Sequence, residues 1–230
     1  MELATYNSLI KYLPFKDQSF QTQRETWIKY SKHPKFSRFY KEVFTSSSVT
    51  ISRNDLFNAA KGDFSTAVYL IILWGYPRNM RGNSFLGVLE NTQLLEGLIH
   101  NSLNLTLQEF ENISKTLKGT RIGLSTLTKI MYFFKITLSG YRCLILDSRI
   151  IEVLKSGKFQ ELDTLKKIKD FNKVKYYPIY LKLMAEIAES NGYTVDQLEL
   201  FLFMFGNSLK PVDSLKIVGG IHIVNGGASH

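Results

Sequence analysis

The chain is poor in the residues that build covalent cross-links and metal centres. Its single cysteine, Cys143, excludes an internal disulfide, a four-cysteine zinc site and a cysteine-ligated iron–sulfur cluster, each of which needs several thiolates at one point. His33, His100, His222 and His230 share no i, i+4 spacing that would set two imidazoles on one helical face, so neither a metal nor a cofactor is expected. Long apolar runs are also lacking. The strongest, Ala67 to Trp74 and Leu198 to Phe205, fall well short of the ~20 residues that cross a bilayer. Met1 to Pro14 is amphipathic and has neither the continuous apolar core nor the small-residue cleavage site of a secretion signal. A soluble, cytoplasmic chain with no membrane partner is expected. With no long heptads and no surplus apolar face, a monomer is the default.

Acid is scarce relative to base: 20 Asp+Glu stand against 29 Lys+Arg, a formal net charge of +9. A polyanionic partner is the simplest physical reason for such an excess, with nucleic acid first among candidates. Hydrophobic residues make up 44% of the 230 positions, enough for one sizeable core.

What is present reads mostly as helix. Asp63 to Trp74 is apolar around most of its circumference, which suits a buried helix stopped by Gly75 and Pro77. Leu103, Leu107, Phe110, Ile113 and Leu117 recur at helical spacing and predict an amphipathic helix over 103–117. A turn over 118–123 with glycines near both ends leads to a second helix over 124–136, marked by Leu127, Ile130, Met131, Phe133 and Phe134. Further helices are expected from Asp147-Ser148 onward, over 176–191 opening near Pro178, and over 194–205 with Thr194 as N-cap. The lysine-rich stretch from Lys155 to Lys175 reads as solvated surface. No alternation is sustained enough to predict a sheet, so the expectation is an all-α fold, one domain over 1–230 in one or two lobes. A flexible tail is expected over 206–230, with one short extended segment at Ile221 to Val224.

Two segments carry candidate chemistry. Helices joined by a tight glycine-bounded turn can aim backbone N–H groups outward, and a helix N-terminus adds partial positive charge, so Gly119, Arg121 and Gly123 form a candidate phosphate site. Lys129 sits on a helix that otherwise buries Ile130, Met131, Phe133 and Phe134. An uncharged lysine amine there is a nucleophile able to form a Schiff base; the alternative is an exposed lysine on the helix's polar side. Asp147 is likewise either an ordinary N-cap or a carboxylate that stabilises a developing cation. The loop Trp74-Gly-Tyr76-Pro-Arg78-Asn-Met-Arg81-Gly82 either packs its aromatics on the core or supplies Trp74, Tyr76 and Arg78 to a pocket or its rim. Phe201, Phe203 and Phe205 are expected mostly in the core, with one free to face a pocket.

The glycine turn, Lys129, and Asp147-Ser-Arg149 eighteen residues later resemble the helix-hairpin-helix DNA glycosylase superfamily, in particular its 8-oxoguanine DNA glycosylase branch with a catalytic lysine. The usual Leu-Pro-Gly-Val-Gly hairpin core reads Leu117-Lys-Gly-Thr-Arg-Ile-Gly123 here. The late segment Val195 to Phe203 resembles the closing helix of compact bacterial and archaeal members, and the similarity extends over roughly Leu103 to Phe205. The resemblance implies a compact helix-hairpin-helix fold with a hairpin and following helix over 117–136. It implies a glycosylase with AP lyase activity acting on modified DNA, double- or single-stranded, and associated with the nucleoid when bound. Lys129 and Asp147 would be catalytic, with Gly119, Arg121, Gly123, Ser125 and Arg149 at the DNA. 8-Oxoguanine is the first choice of base, another modified base such as a hypermodified phage pyrimidine the second, and a non-catalytic basic DNA-binding protein the alternative of a different class.

Overall fold

Side-chain caps set five of the helix starts among the described residues. The computed structural model describes residues 1–100 and 103–210; the tail expected over 206–230, with Ile221 to Val224, lies outside the described residues beyond Lys210. A 3-10 turn at Leu3–Tyr6 and helix α1 (Asn7–Lys11) open the chain, followed by a 3-10 turn at Phe15–Asp17. Strand β1 (Ser19–Gln23) leads through α2 (Arg24–Trp27) and α3 (Ser37–Val43) to strand β2 (Ser48–Ser52). Then come α4 (Arg53–Ala59), α5 (Phe64–Gly75) and α6 (Ser84–His100), the last kinked at Asn91. Strand β3 (Asn104–Leu105) precedes α7 (Leu107–Thr116) and α8 (Leu124–Phe133). Strands β4 (Thr137–Leu138) and β5 (Tyr141–Arg142) lead to α9 (Ser148–Ser156), α10 (Lys173–Asn191) and α11 (Val195–Phe205). Reciprocal capping boxes start α4 (Ser52 with Asp55), α7 (Thr106 with Glu109) and α11 (Thr194 with Gln197), and the Asp63 side chain caps α5.

The expectation of an all-α fold holds for most of the described residues, while the expectation of no sheet is corrected. Helix dominates, but β1 and β2 pair antiparallel with Ser19 opposite Ser52 and Gln23 opposite Ser48. A second sheet of order β3-β4-β5 pairs β3 with β4 parallel and β4 with β5 antiparallel. Ser139 (φ 51°) and Gly140 (φ 83°) make the tight turn between β4 and β5, a two-residue hairpin connection in the positive-φ conformation that matches strand twist. Three helix boundaries differ as well. The helix expected from Leu103 begins only at Leu107, because Thr106 takes the N-cap and the preceding residues pair as strand. The one expected to run to Ile136 stops at Phe133, ahead of Lys135 at φ 56°. Helix α10 starts at Lys173, five residues before Pro178.

Helix α5 crosses the middle of the core, touching α4, α6, α8 and β1. Thr22 ties the first sheet to its end: Trp27 Nε1 donates to Thr22 Oγ1 at 2.8 Å, and Thr22 Oγ1 donates to the Pro77 carbonyl at 2.8 Å. Gly87 lets α6 lie directly against the α7–α8 turn, since a Cβ there would stand 2.1 Å from the Thr120 carbonyl oxygen.

A cluster of charged groups is buried at the centre. The Arg53 side chain is 1% exposed and its NH1 lies 2.7 Å from Glu199 Oε2, itself fully buried. NH1 also donates to Tyr132 Oη at 2.9 Å, Nε donates to Gln18 Oε1, and the guanidinium lies 5.5 Å from the Trp74 ring centroid. Tyr132 in turn donates to Asp196 Oδ1 at 2.6 Å, which Arg142 meets at 3.1 Å. Burial opposes the charge on Arg53, but Glu199 and Tyr132 outweigh it and keep the guanidinium ionised. Burial pushes the Glu199 carboxyl above the usual carboxylate range, with Arg53 opposing. Glu199→Ala leaves that guanidinium without its counter-charge, for which urea unfolding should register a loss of about 3–5 kcal/mol. Replacing both partners, Arg53→Met with Glu199→Leu, should recover most of it; a single variant as stable as the wild type would contradict the account.

Candidate active site

Helix α8 places Lys129 in the interior. Its neighbours from Thr126 to Phe133 are all buried, and the lysine is 3% exposed. The side chain runs back toward the helix start, as long helical side chains do, so that Nζ donates to Ser125 Oγ one turn earlier at 2.9 Å. Nζ also lies 3.7 Å from Asp147 Oδ2 and 5.0 Å from the Tyr76 ring centroid. Gly75, the last residue of α5, makes room for the stem: a Cβ there would lie 2.8 Å from Lys129 Cδ and 3.0 Å from Cε.

Asp147 is brought beside this amine by a buried stretch, Cys143 to Leu146, strung between two helices. The Leu146 N–H donates to Thr128 Oγ1 at 3.2 Å on the α8 side. On the α10 side Tyr177 donates to the Leu144 carbonyl at 2.8 Å and Tyr180 to the Ile145 carbonyl at 3.2 Å. Within that stretch burial pushes the Cys143 thiol up to about 12, which makes it a packing residue. Asp147 then uses its two oxygens differently. Oδ1 accepts from the Ile150 N–H at 3.1 Å and caps α9, while Oδ2 faces Lys129. Its side chain is 16% exposed, so the pair has one face open to solvent.

Lys129 and Asp147 line a narrow pocket together with Phe20, Arg53, Trp74, Gly75, Ile145, Glu199 and Phe203. Trp74 packs on Phe20 (centroids 5.4 Å apart) and Phe133 (5.2 Å). Three buried polar atoms of these lining residues have no hydrogen-bond partner, Trp74 Nε1 and both Glu199 carboxylate oxygens, of which Oε2 lies in ion-pair contact with Arg53. A larger groove runs beside the pocket. It is lined by Tyr76, Met80, Arg81, Ser84, Arg121, Gly123, Ser125 and Thr126 on one side and by Ser148, Ile151, Glu152, Asp170 and Lys173 on the other. The first turns of α8 and α9 both border it. Gly123 has no side chain with which to cap α8, so the start of that helix is uncapped by any side chain. Ser125 links the two spaces, lining the groove while its Oγ accepts from Lys129 Nζ.

Most of the residues singled out in the sequence therefore converge. Trp74 is in the pocket, and Tyr76 lies under the lysine with its hydroxyl 2.9 Å from Thr126 Oγ1. Arg121, Gly123 and Ser125 line the groove, Arg121 with backbone φ 64°. Gly119 (φ 92°) shapes the turn without lining the groove. Arg149 is exposed and stacks its guanidinium 4.9 Å from the Phe203 ring centroid, and Arg78 is exposed and lines neither space. Phe201 is buried in the core and Phe203 faces the pocket. Sequence reasoning missed Gly75, Arg53 and Glu199. Glu199 was the detectable one, a carboxylate inside the apolar run Leu198 to Phe205 that demands a buried cation.

The fold and site define a mostly helical protein that keeps a lysine amine buried beside a carboxylate in an aromatic pocket. A family model described as "Putative 8-oxoguanine DNA glycosylase OGG-like protein" matches residues 14–203. The chain belongs to this family, whose activity class is a DNA glycosylase of the 8-oxoguanine type and whose partner is DNA. No curated protein and no solved structure matches the chain. Among the described residues no helix is long and apolar enough to cross a membrane.

Because the atoms that a Gly75→Ala methyl would meet belong to the Lys129 stem, the substitution should move the amine rather than unfold the protein. Displacing a reacting group by about 1 Å costs on the order of 10²-fold in rate. If the amine is the reacting group, base release by Gly75→Ala should fall steeply with a near-native unfolding midpoint; full activity in this variant would show that the lysine position is not critical.

Proposed function

We propose that this protein is a helix-hairpin-helix DNA glycosylase with AP lyase activity that excises 8-oxoguanine through a lysine Schiff base. The observation that carries this reading is the Lys129 amine, 4% exposed in its side chain and 3.7 Å from the Asp147 carboxylate on the wall of an aromatic pocket. A protein that only grips phosphates has no use for an amine in that position, and an exposed lysine would serve it better.

In this mechanism DNA lies in the groove, with phosphates at the uncapped start of α8 and along Arg81, Arg121 and Lys173. The damaged nucleotide leaves the stack, at a cost of a few kcal/mol, and enters the pocket. Lys129 gives up a proton, for which Asp147 is the nearest carboxylate, and its lone pair attacks C1′. The bond from C1′ to the base breaks, its electrons leave with the base, and the proton that Asp147 took from the amine passes to the base and completes it. Asp147, a carboxylate again, then faces the positive charge carried by the sugar–amine adduct. Ring opening of the sugar then gives the Schiff base, from which β-elimination nicks the strand.

Oxidised guanine is the first choice of base on the family match. Trp74 Nε1 can only donate, and a Glu199 carboxylate oxygen can accept. A guanine-type edge, with N1–H and N2–H donors beside the O6 acceptor, is compatible with that pair, as is the N3–H and O4 edge of a thymine-type pyrimidine.

Borohydride reduction during reaction with an 8-oxoguanine duplex should trap a covalent protein–DNA complex with the wild type and none with Lys129→Gln. Asparagine caps a helix about as well as aspartate, so Asp147→Asn should leave the unfolding midpoint near that of the wild type. Its base release should fall by on the order of 10²-fold or more, the usual range for loss of a proton-transfer group. A variant that is destabilised but fully active would reduce Asp147 to a cap.

A further inference from the structure

The lysine-rich segment before α10 contains one feature that a merely solvated surface does not explain. Phe171 is 84% exposed, the most exposed large hydrophobic side chain among the described residues. It stands amid Lys166, Lys167, Lys169, Lys173 and Lys175. Nothing about its turn is loose. Leu165 and Ile168 anchor the preceding residues in the core, both fully buried. Asn172 braces the rest: its Oδ1 accepts from the Lys169 N–H at 2.6 Å, and its Nδ2 donates to the Lys167 carbonyl at 3.1 Å. Lys173 pairs with Asp170 at 3.1 Å. The turn is thus fixed on both sides of a phenylalanine that it holds in water, with the Lys169 ammonium 5.9 Å from its ring centroid.

Position gives this arrangement a partner. Asp170 and Lys173, the residues to either side of Phe171 and Asn172, line the same groove as Tyr76, Arg121, Ser125 and Ser148. An aromatic ring beside a groove that carries Arg81, Arg121 and Lys173 as well as Glu152 and Asp170, and itself flanked in sequence by lysines, matches the chemistry of an unstacked base next to a phosphate backbone.

We propose that Phe171 stacks on a DNA base exposed where the duplex is disrupted, while the flanking lysines hold the adjacent phosphates. This rests on the glycosylase reading above, because the disrupted duplex is the one from which a nucleotide has been extruded into the Lys129 pocket. The contact is not part of the reaction centre. It holds the distorted DNA that the reaction needs.

The test uses a short duplex containing a tetrahydrofuran abasic analogue, which cannot form a Schiff base, with 2-aminopurine placed in turn at positions around it. Wild type should bind and quench 2-aminopurine at one position. Phe171→Ala should bind about tenfold more weakly, the scale of one lost base-stacking contact, and lose that quenching with no change in unfolding midpoint. Phe171→Trp should restore both. Wild-type binding with an unaffected Phe171→Ala variant would overturn this proposal and leave the glycosylase reading standing. A wild type that neither binds the duplex nor traps on an 8-oxoguanine substrate would overturn the glycosylase reading and this contact with it.

Discussion

A buried guanidinium must be neutralised, and satisfying Arg53 organises the rest of this protein. Its partners come from separate parts of the chain: Gln18 just before β1, Trp74 at the end of α5, Tyr132 on α8 and Glu199 on α11. Those four segments also supply Phe20, Gly75, Lys129 and Phe203 to the pocket. Neutralising one charge therefore assembles the walls around another. The desolvation cost of such a pair is large, and replacing it with well-packed apolar residues is often neutral for stability. Its retention is best understood through the orientation it imposes on the pocket-lining segments.

Asp147 extends the same economy. One oxygen satisfies an orphan N–H at the start of α9, and the other faces the lysine amine. The cap fixes where the carboxylate can be, and the tyrosine and threonine bonds to the Cys143 to Leu146 stretch fix the cap. Gly75 completes the arrangement by leaving the lysine stem the space that any side chain would take. In the proposed mechanism stability and chemistry are separable at this residue, because asparagine can do the first job and not the second.

Much of this was legible in the sequence where the physics is local. Helix periodicity located α5, and with Asp147 and Thr194 as caps it located α9 and α11, because capping depends on residues three apart. The strands escaped notice because β3, β4 and β5 are two residues each, too short for alternation to register. Ser48-Val-Thr-Ile-Ser52 did carry an alternating β-branched signal, but its partner strand is distant in the chain. At the site, Lys129 and Asp147 could be paired through their spacing and the family resemblance. The Arg53–Glu199 pair could not, since nothing in either neighbourhood specifies the other. Gly75 was read as a helix stop; its closer role appears only with the lysine stem beside it.

The central claim is that the amine of Lys129 is the nucleophile. The most direct measurement is to digest the borohydride-reduced complex formed with an 8-oxoguanine duplex and locate the DNA remnant by mass spectrometry. The account predicts a reduced sugar adduct on the Nζ of Lys129. An adduct confined to another lysine, or base release with no adduct at all, would contradict it.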